Sequence, residues 1–375
     1  MSAPHILHVF STFVPAGPEM RTVHLIDALG LEFRHSIVAM DGRTDAAARL
    51  PKDAPARVLE SPPRAGSLAT IRALRALIRS EKPDLVLSYN WGAFDAVFAT
   101  RSLRFRAHIH HEDGFNADEV DSFKQRRVLT RRVFLRGVSR VVVPSKNLAR
   151  IAGGVWKLPD ERVRYIPNGV RLERFAPADG RAALRAKLGL PQGALVVGYV
   201  GHLRPEKNPL RFLRAMARVE PELGAHALVL GDGPERKGME DLAAKMPALF
   251  GRVHLLGHVA DPSEHYRAMD VFALSSDTEQ MPVALVEAMA CSLPCVATDV
   301  GDVKDILPES QADFVLPLGA HETAWPLAEK ISELLRDPEQ RRALGAENRK
   351  RVEREFTFDK MLAAYREEYL AAMRA

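Results

Sequence analysis

Two glutamates and one lysine are the residues of this sequence whose types and positions are best suited to chemistry. Glu279 and Glu287 lie eight residues apart, in a polar loop and in the helical pattern that follows it. Their carboxylates can accept hydrogen bonds from sugar hydroxyl groups, and the helix start offers free N–H groups to an anion. Lys207 follows a separate strand pattern, where its ammonium group can offset the charge of a leaving diphosphate. Because such glutamate pairs are common, a pair on an ordinary surface helix is the alternative.

Turns rich in glycine follow other strand patterns in the second half of the sequence. Gly201 is followed by His202 and Arg204, so cations again lie where an anion is expected. Gly231 belongs to a Gly-Asp-Gly-Pro turn that brings the backbone close to a ligand or to another helix. The turn at His258 is similar. An exposed basic loop and ordinary tight turns are the alternatives.

In the first half, Gly17 precedes Pro18 where the first strand pattern meets the first helical pattern. A glycine at this place lets the backbone approach an anion at the start of the helix. The segment lacks the Gly-x-Gly-x-x-Gly spacing of dinucleotide-binding enzymes, which argues against NAD or FAD.

The segment from His108 to Phe115 closes another strand pattern and contains three histidines and two acidic residues. His110, His111 and Asp113 could transfer protons or bind a metal ion, with core or solvated histidines as the alternative. No Asp-x-Asp sequence follows a strand pattern, as it does in enzymes that bind a metal–diphosphate complex. We therefore expect no metal site and no obligatory divalent ion.

Short apolar runs alternate with longer amphipathic stretches, which is typical of parallel sheets covered by helices on both faces. The strands predicted in the first half are His5–Phe10, His35–Met40, Ala56–Glu60, Leu85–Ser88, Ala107–His110, Val141–Pro144 and Val163–Ile166. Those predicted in the second half are Ala194–Val200, Ala225–Leu230, Arg252–Leu256, Val271–Leu274, Pro294–Thr298 and Phe314–Leu316. Helical patterns fall between them.

Two successive series of this kind predict an α/β protein of two Rossmann-like domains, whose parallel sheets face each other across a cleft. We assign residues 1–180 to the first domain and residues 181–355 to the second. The stretch 171–190 carries prolines and glycines typical of a linker with one short helix. Residues 356–375 are predicted to be helical.

The composition indicates a globular protein of a reducing compartment. Apolar residues make up 46% of the 375 residues and charged residues 27%, so disorder is not expected. The two cysteines, Cys291 and Cys295, are too few for a disulfide framework. The apolar N-terminal run lacks the features of a signal peptide, and no run is long enough for a transmembrane helix. We therefore expect a soluble, cytoplasmic protein.

The net charge of +5 reflects an excess of arginine. Six cations lie on the helical pattern 122–136, beside an apolar face. We interpret this segment as a solvated outer helix, and peripheral contact with anionic lipid at the inner face of the membrane is the alternative. We expect no nucleic-acid partner.

Together, these segments resemble the large family 4 group of retaining GT-B glycosyltransferases. The resemblance spans most of the chain and is strongest from Ile166 to Gly301. Its motifs are, in order, Ile-Pro-Asn-Gly-Val, Val-Gly-x-Leu-x-x-x-Lys-Asn, Gly-Asp-Gly-Pro, Leu-Gly-His-Val, and Glu-x7-Glu with Glu-Ala-Met-Ala.

The resemblance implies roles by position. Glu279 looks like the carboxylate that holds the transferred sugar, Glu287 like the one that binds the ribose, and Lys207 like the diphosphate-binding lysine. The catalytic residues expected on this basis are Glu279, Lys207, His110, His111 and Asp113. The expected donor-binding residues are Gly17, Gly201, His202, Arg204, Lys207, Gly231, His258, Val259, Glu279, Gln280, Met281, Pro282, Val283 and Glu287.

The resemblance also implies roles in nucleotide binding and a role for a histidine of the first domain. The resemblance implies that Gly17 approaches the phosphate and that the turn at His258 and Val259 reads the nucleobase. The first-domain histidine of the family falls between His110 and Asp113, and the sequence does not align it to one residue.

The resemblance also implies the reaction. A sugar would pass, with retention at the anomeric carbon, from a nucleotide-diphosphate donor of the UDP or GDP type to a glycan, a polysaccharide or a lipid-linked intermediate. No cofactor would be obligatory. The final helix, residues 356–375, would cross back to the first domain. The alternatives are a nucleotide-sugar epimerase of GT-B fold and a non-catalytic subunit that binds nucleotide sugars.

The sequence departs from the family at three positions. His202 stands where many members have an arginine directly after Gly201, and a neutral imidazole is a weaker phosphate partner than a guanidinium. Either Arg204 compensates or His202 acts in its protonated form. Gln280 and Ser292 stand where glycines are common.

Overall fold

The chain folds into two compact units. The computed structural model describes residues 3–62, 66–115, 124–177, 180–319 and 324–374. The first unit combines Met1–Asn168 with Asp359–Ala375, and the second is Gly169–Phe358. The last segment of the chain is therefore part of the first unit.

A seven-stranded sheet forms the centre of the first unit. Its strands are β1 (His5–Phe10), β2 (Arg34–Ala39), β3 (Ala56–Val58), β4 (Leu85–Tyr89), β5 (His108–His111), β6 (Arg140–Val143) and β7 (Val163–Tyr165). They are ordered β3-β2-β1-β4-β5-β6-β7, and every neighbouring pair is parallel. All residues of β1, β4 and β5 are buried, as expected for strands covered on both faces.

A six-stranded sheet forms the centre of the second unit. Its strands are β8 (Val196–Val200), β9 (His226–Leu230), β10 (Val253–Leu255), β11 (Val271–Leu274), β12 (Cys295–Thr298) and β13 (Val315–Leu316). The order is β10-β9-β8-β11-β12-β13, again with parallel neighbours. Apolar side chains pack on both faces of this sheet in two clusters.

Helices connect and cover the strands. They are α1 (Gly17–Leu29), α2 (Ser67–Glu81), α3 (Asp95–Ser102), α4 (Gln125–Phe134), α5 (Lys146–Gly154), α6 (Arg181–Lys187), α7 (Pro209–Met216), α8 (Arg236–Lys245), α9 (Ser263–Tyr266), α10 (Val283–Ala290), α11 (Val303–Ile306), α12 (Ala324–Arg336), α13 (Pro338–Glu355) and α14 (Phe358–Arg374). Local capping explains several starts. Ser145 accepts a hydrogen bond from Leu148 N before α5, and Asn208 accepts one from Arg211 N before α7.

The predicted fold class is confirmed at the level of elements. Each predicted strand is present among the described residues, with ends that differ by at most two positions. The basic helix predicted over residues 122–136 is α4, while Ser122 and Phe123 lie outside the described residues. Cys291 and Cys295 are both buried and not bonded to each other.

A row of buried rings crosses one face of the first sheet. His8 shares hydrogen bonds with His35 on β2, at 3.0 Å, and with the hydroxyl group of Tyr89 on β4, also at 3.0 Å. Tyr89 stacks on His111, whose ring lies 5.9 Å from that of Tyr365 on α14. The last helix is thus held against the first sheet by aromatic packing.

We expect the first unit to lose stability as the pH falls below about 6.5. Burial lowers the pKa of His35 to about 4 and that of His108 to about 3, and it also holds the pKa values of His8 and His111 well below the ordinary value. Below pH ~6.5 the unfolded chain therefore binds protons that the folded chain does not, at a cost of at most about 1.4 kcal/mol per pH unit for each histidine. Glu19 acts in the opposite direction, since burial raises its pKa to about 7, but it is one group against four.

Thermal unfolding followed by circular dichroism between about pH 7.5 and pH 4.5 measures this effect. The unfolding temperature should fall across the window, and His35→Asn should make the fall shallower. His258→Asn is the matched control, because His258 is exposed and its loss should leave the slope unchanged. An unfolding temperature that stays constant between pH ~6.5 and ~5 would contradict the expectation.

Candidate functional site

Four of the loops expected to bind a donor lie at one edge of the second sheet, whereas Gly17 belongs to the first unit. Gly201, Gly231, His258 and Glu279 follow the carboxyl ends of β8, β9, β10 and β11, which are neighbours in the sheet. Hydrogen bonds link these loops to each other, from Gly201 N to Leu230 O and from Gly231 N to the carbonyl of the next turn. Parallel sheets bind ligands at this edge.

An ion pair joins two of the predicted site residues. Lys207 Nζ lies 2.6 Å from Glu279 Oε2, although the residues are 72 positions apart in the sequence. Ser276 Oγ donates a hydrogen bond of 2.8 Å to the other carboxylate oxygen, Oε1. The side chain of Glu279 is 9% exposed and that of Lys207 29%, so both charges are partly removed from water. The carboxylate and the ammonium group are thereby held in fixed positions at the sheet edge.

A second set of polar contacts fixes the two loops that carry this pair. Asn208 donates to Asp277 at 2.9 Å, and Arg211 binds the same carboxylate at 2.6 Å. The backbone N–H of Asp277 donates to Glu206 O at 2.9 Å. The loop after β8 and the loop after β11 therefore form one polar layer.

Gly301 allows the backbone next to Glu279 to take its shape. Its φ angle is +55°, a conformation that favours glycine. A Cβ atom added there would lie 2.5 Å from Glu279 O and 2.6 Å from Gln280 O. The loop also receives a hydrogen bond from Asp302 N to Gln280 O. No side chain larger than hydrogen fits at this position without moving the loop.

Glu287 lies on α10, half-buried, and accepts a hydrogen bond of 2.7 Å from the hydroxyl group of Tyr266. Burial raises the pKa of Glu287 to about 7, although Tyr266 and Arg174 favour its charged form. Its carboxyl group therefore changes charge near neutral pH. Pro282 directly precedes α10, whose first residue is Val283.

The basic side chains predicted to bind phosphate differ in how readily they carry a positive charge. The side chains of His202, Arg204 and His258 are exposed beside the loop ends. Partial desolvation and the neighbouring cations, Arg204 first among them, lower the pKa of His202. In this structure the lowered pKa favours the neutral imidazole of His202, and the roles of His202 and Arg204 in phosphate binding stay predictions.

In the first unit, Asp113 lies just beyond the carboxyl end of β5 and binds Arg21 of α1. The two guanidinium nitrogens of Arg21 lie 2.5 and 3.0 Å from the carboxylate oxygens of Asp113. Arg21 also donates to Asn168 at 3.0 Å, and Asn90 accepts a hydrogen bond of 2.7 Å from Asp113 N. Asp113 is thus a positioned carboxylate at the edge of the first sheet.

The two histidines predicted beside Asp113 have different surroundings. His110 is fully buried, with its ring between Ser88 Oγ at 2.7 Å and Glu112 at 3.5 Å. His111 is 1% exposed and belongs to the row of stacked rings. Both side chains belong to the sheet interior, and Asp113, whose side chain is 9% exposed, is the member of this trio that follows the carboxyl end of β5.

Gly17 opens α1 and is exposed, and a Cβ atom added there would meet no atom within 4 Å. Glu19, in the first turn of the same helix, is 7% exposed, and its Oε2 atom has no hydrogen-bond partner. The space in front of Gly17 is therefore open, while the carboxyl group of Glu19 points inward.

Sequence reasoning missed the partners that hold the candidate residues. Ser276 lies three residues before Glu279 within the motif, so its position was a readable signal. Tyr266 and Arg21 carried no signal, because they are far along the chain from the carboxylates that they bind.

Two classes of feature are absent from the described part of the chain. It contains no group of three or more histidine, cysteine, aspartate or glutamate side chains placed to hold a metal ion. No described helix combines the length and the apolar character needed to cross a bilayer.

Comparison with known proteins identifies the family. A model described as Glycosyl transferases group 1 matches residues 180–351, and one described as Glycosyltransferase Family 4 matches residues 15–174. A D-inositol 3-phosphate glycosyltransferase of Stackebrandtia nassauensis is 32% identical over 307 residues, covering 75% of this chain and 68% of that protein. The chain belongs to glycosyltransferase family 4.

The curated relatives extend beyond the region that matches this chain. A D-inositol 3-phosphate glycosyltransferase of Streptomyces bingchenggensis is 32% identical over 225 residues, which cover 57% of this chain and 49% of that protein. The chain thus spans about half to two thirds of the length of the curated relatives that it matches.

Solved structures share the fold. A glycosyltransferase of Rickettsia africae superposes with a TM-score of 0.83 at 17% identity, covering 100% of this chain and 99% of that chain. HepE of Anabaena, solved in complex with UDP and glucose, gives a TM-score of 0.81 at 20% identity, covering 98% and 100%. The predicted GT-B class, with two Rossmann-like units, is confirmed by these matches.

We expect Gly301→Ala to disrupt the loop that carries Glu279. The added Cβ would contact two carbonyl oxygens and the positive φ would strain an alanine, so the free energy of unfolding should fall by roughly 1–3 kcal/mol. Urea unfolding measures this change.

Gly238→Ala is the matched control in the same unit. Gly238 lies inside α8, and an added Cβ would make only ordinary contacts, the nearest at 3.5 Å. This variant should be neutral or more stable by up to about 1 kcal/mol. Equal stabilities for the two variants would show that the loop tolerates a side chain at position 301.

Proposed function

We propose that this family 4 protein transfers a sugar from a nucleotide-diphosphate donor, of the UDP or GDP type, to an acceptor with retention at the anomeric carbon. The carboxyl edge of the second sheet would bind the donor. The carboxyl edge of the first sheet, with Asp113, would act on the acceptor side. No metal ion would be required.

The ion pair of Lys207 and Glu279 carries the proposal. A nucleotide-diphosphate sugar offers hydroxyl groups, which donate hydrogen bonds to a carboxylate, and phosphates, which an ammonium group binds. Both protein groups are held 2.6 Å apart, and Glu279 lies in the loop that leads into α10.

The proposed catalysis is electrostatic rather than covalent. As the bond from the sugar to the diphosphate breaks, negative charge develops on the leaving phosphate, and Lys207 would offset it. Loss of one positioned donor of this kind reduces turnover by about 10²–10³-fold in other enzymes. Glu279 would hold the sugar while the acceptor hydroxyl attacks from the face that the diphosphate leaves and gives its proton to the leaving diphosphate, which yields retention without a protein nucleophile.

The acceptor is proposed as a glycan, a polysaccharide or a lipid-linked intermediate, in the cytoplasm. The names of the curated relatives add inositol 3-phosphate to the panel that a transfer assay should contain. Helix α4 exposes Leu129 and Val133 among its arginines, which supports peripheral contact with an anionic membrane. Failure of the protein to sediment with anionic vesicles would count against that contact.

We expect Lys207→Ala and Glu279→Gln each to reduce transfer from a nucleotide sugar by about 10²-fold or more, while the fold persists. The physical reason is the loss of the charge that offsets the leaving group in one variant, and of the negative charge and one of the two acceptor oxygens for sugar hydroxyls in the other. Steady-state kinetics and circular dichroism measure the two properties.

Lys237→Ala is the matched control, because Lys237 forms an exposed pair with Asp241 on α8 and should leave transfer unchanged. Full activity in both site variants would overturn the proposal. Product NMR must show the donor's anomeric configuration retained. Epimer formed without acceptor would favour an epimerase, and tight donor binding without transfer would favour a non-catalytic subunit.

We expect the donor to bind more tightly as the pH rises from about 6 to about 8. With a pKa near 7, the carboxyl group of Glu287 is mostly neutral at the lower pH and mostly ionised at the higher one. Only the ionised form accepts hydrogen bonds at both oxygens, so ribose binding should strengthen several-fold. Calorimetry with an intact nucleotide sugar, whose diphosphate does not titrate in this range, measures the change.

Glu287→Gln separates this residue from other titrating groups. The variant should bind with little dependence on pH, at an affinity near that of the protein at pH ~6. A pH dependence that is unchanged in Glu287→Gln would assign it to another group and remove Glu287 from the ribose site.

A further inference from the structure

A cavity of about 310 Å³ opens at the amino edge of the first sheet, opposite to the edge that carries Asp113. The residues around it lie before or at the start of three neighbouring strands, β5, β6 and β7, and on α14. The lining residues that bear on its charge are Arg106, Arg136, Arg140, Arg162 and Glu368. Four guanidinium groups and one carboxylate therefore share one cavity within the first unit.

The single carboxylate of the cavity lining already forms ion pairs with two arginines. Glu368 Oε2 lies 3.3 Å from Arg140 Nε, and Oε1 lies 3.1 Å from Arg164 Nε, outside the cavity lining. The carboxyl end of α14 adds a partial negative charge at most. Glu368 therefore offsets about one of the four positive charges that line the cavity.

The other three arginines have no acidic partner among the described residues. Arg162 donates to Val138 O at 2.8 Å, and Arg136 donates to Lys157 O at 3.0 Å, so backbone carbonyls orient both groups without neutralising them. The guanidinium group of Arg106 has no hydrogen bond or ion pair within the described chain, and it is exposed. Each of the three keeps donors that a ligand can use.

We propose that this cavity binds the phosphate group of a phosphorylated ligand, at a site separate from the donor-binding edge. Guanidinium groups bind phosphate oxygens through paired, charge-assisted hydrogen bonds, and several of them around one concavity favour a multiply charged anion. A bound phosphate would bridge the starts of the strands and α14, whose residues Glu368, Ala371 and Ala372 form one wall. The ligand would therefore strengthen the packing of the last helix on the first unit.

Inorganic pyrophosphate is the probe, and the double variant Arg106→Gln/Arg136→Gln is the test. Calorimetry is performed at low salt in the Lys207→Ala background, so that the second unit contributes little phosphate binding. The double variant should bind pyrophosphate at least about tenfold more weakly, because two charge-assisted contacts are lost. Arg79→Gln is the matched control, since Arg79 is exposed on α2 and does not line the cavity.

Equal affinities for the double variant and the Arg79→Gln control would overturn the proposal, as would the loss of all binding in Lys207→Ala alone. Vesicles of phosphatidic acid in phosphatidylcholine identify the source of the phosphate. Sedimentation that is lost in the double variant assigns a lipid headgroup, whereas pyrophosphate binding without such sedimentation assigns a free phosphorylated ligand. The test does not depend on transferase activity.

Discussion

Parallel pairing of the strands is the constraint on which the rest of the structure depends. Because all neighbouring strands of each sheet run in the same direction, their carboxyl ends share one edge and their amino ends share the other. Loops that are far apart in the sequence are thereby brought side by side. Lys207 and Glu279 meet in this way after β8 and β11, and Arg21 meets Asp113 after β1 and β5.

At the carboxyl edge of each sheet, a carboxylate is paired with a cation, Glu279 with Lys207 and Asp113 with Arg21. Partly buried carboxylates and cations would be costly to desolvate alone, and pairing lowers that cost while fixing their geometry. A sugar nucleotide carries phosphates, which can take the place of the carboxylate in such a pair, and hydroxyl groups, which can take the place of the cation. This complementarity supports the proposal that the carboxyl edge of the second sheet binds a nucleotide-diphosphate sugar.

Two places on the first sheet differ in their balance of charge. At the carboxyl edge, Arg21 and Asp113 neutralise each other, whereas in the cavity at the amino edge four arginines face one carboxylate, Glu368. Between the edges, the interior holds neutral imidazoles such as His8 and His108, which burial keeps uncharged. The expected titration of this interior and the proposed occupation of the cavity would both act on the packing of α14, because its residue Tyr365 stacks on His111 and its residue Glu368 pairs with Arg140.

The sequence by itself determined the strands, the fold class and the pair of motif residues. Strands covered on both faces require continuous apolar runs, and such runs are visible without any knowledge of tertiary contacts. Lys207 and Glu279 could be selected because each follows such a run, where parallel sheets bind ligands. Asn208 and Pro209 likewise mark the start of α7 through local capping chemistry.

The tertiary structure alone decided which partners these residues have and which side chains are accessible. Tyr266 binds Glu287 and Arg21 binds Asp113 across long separations, and pairing at such distances follows from sheet order rather than from spacing. His110 and Asp113 are near neighbours in the sequence, yet the first is enclosed by the sheet and the second lies at its edge. The physical reason is that burial depends on what packs over a residue, and those covering elements come from distant parts of the chain.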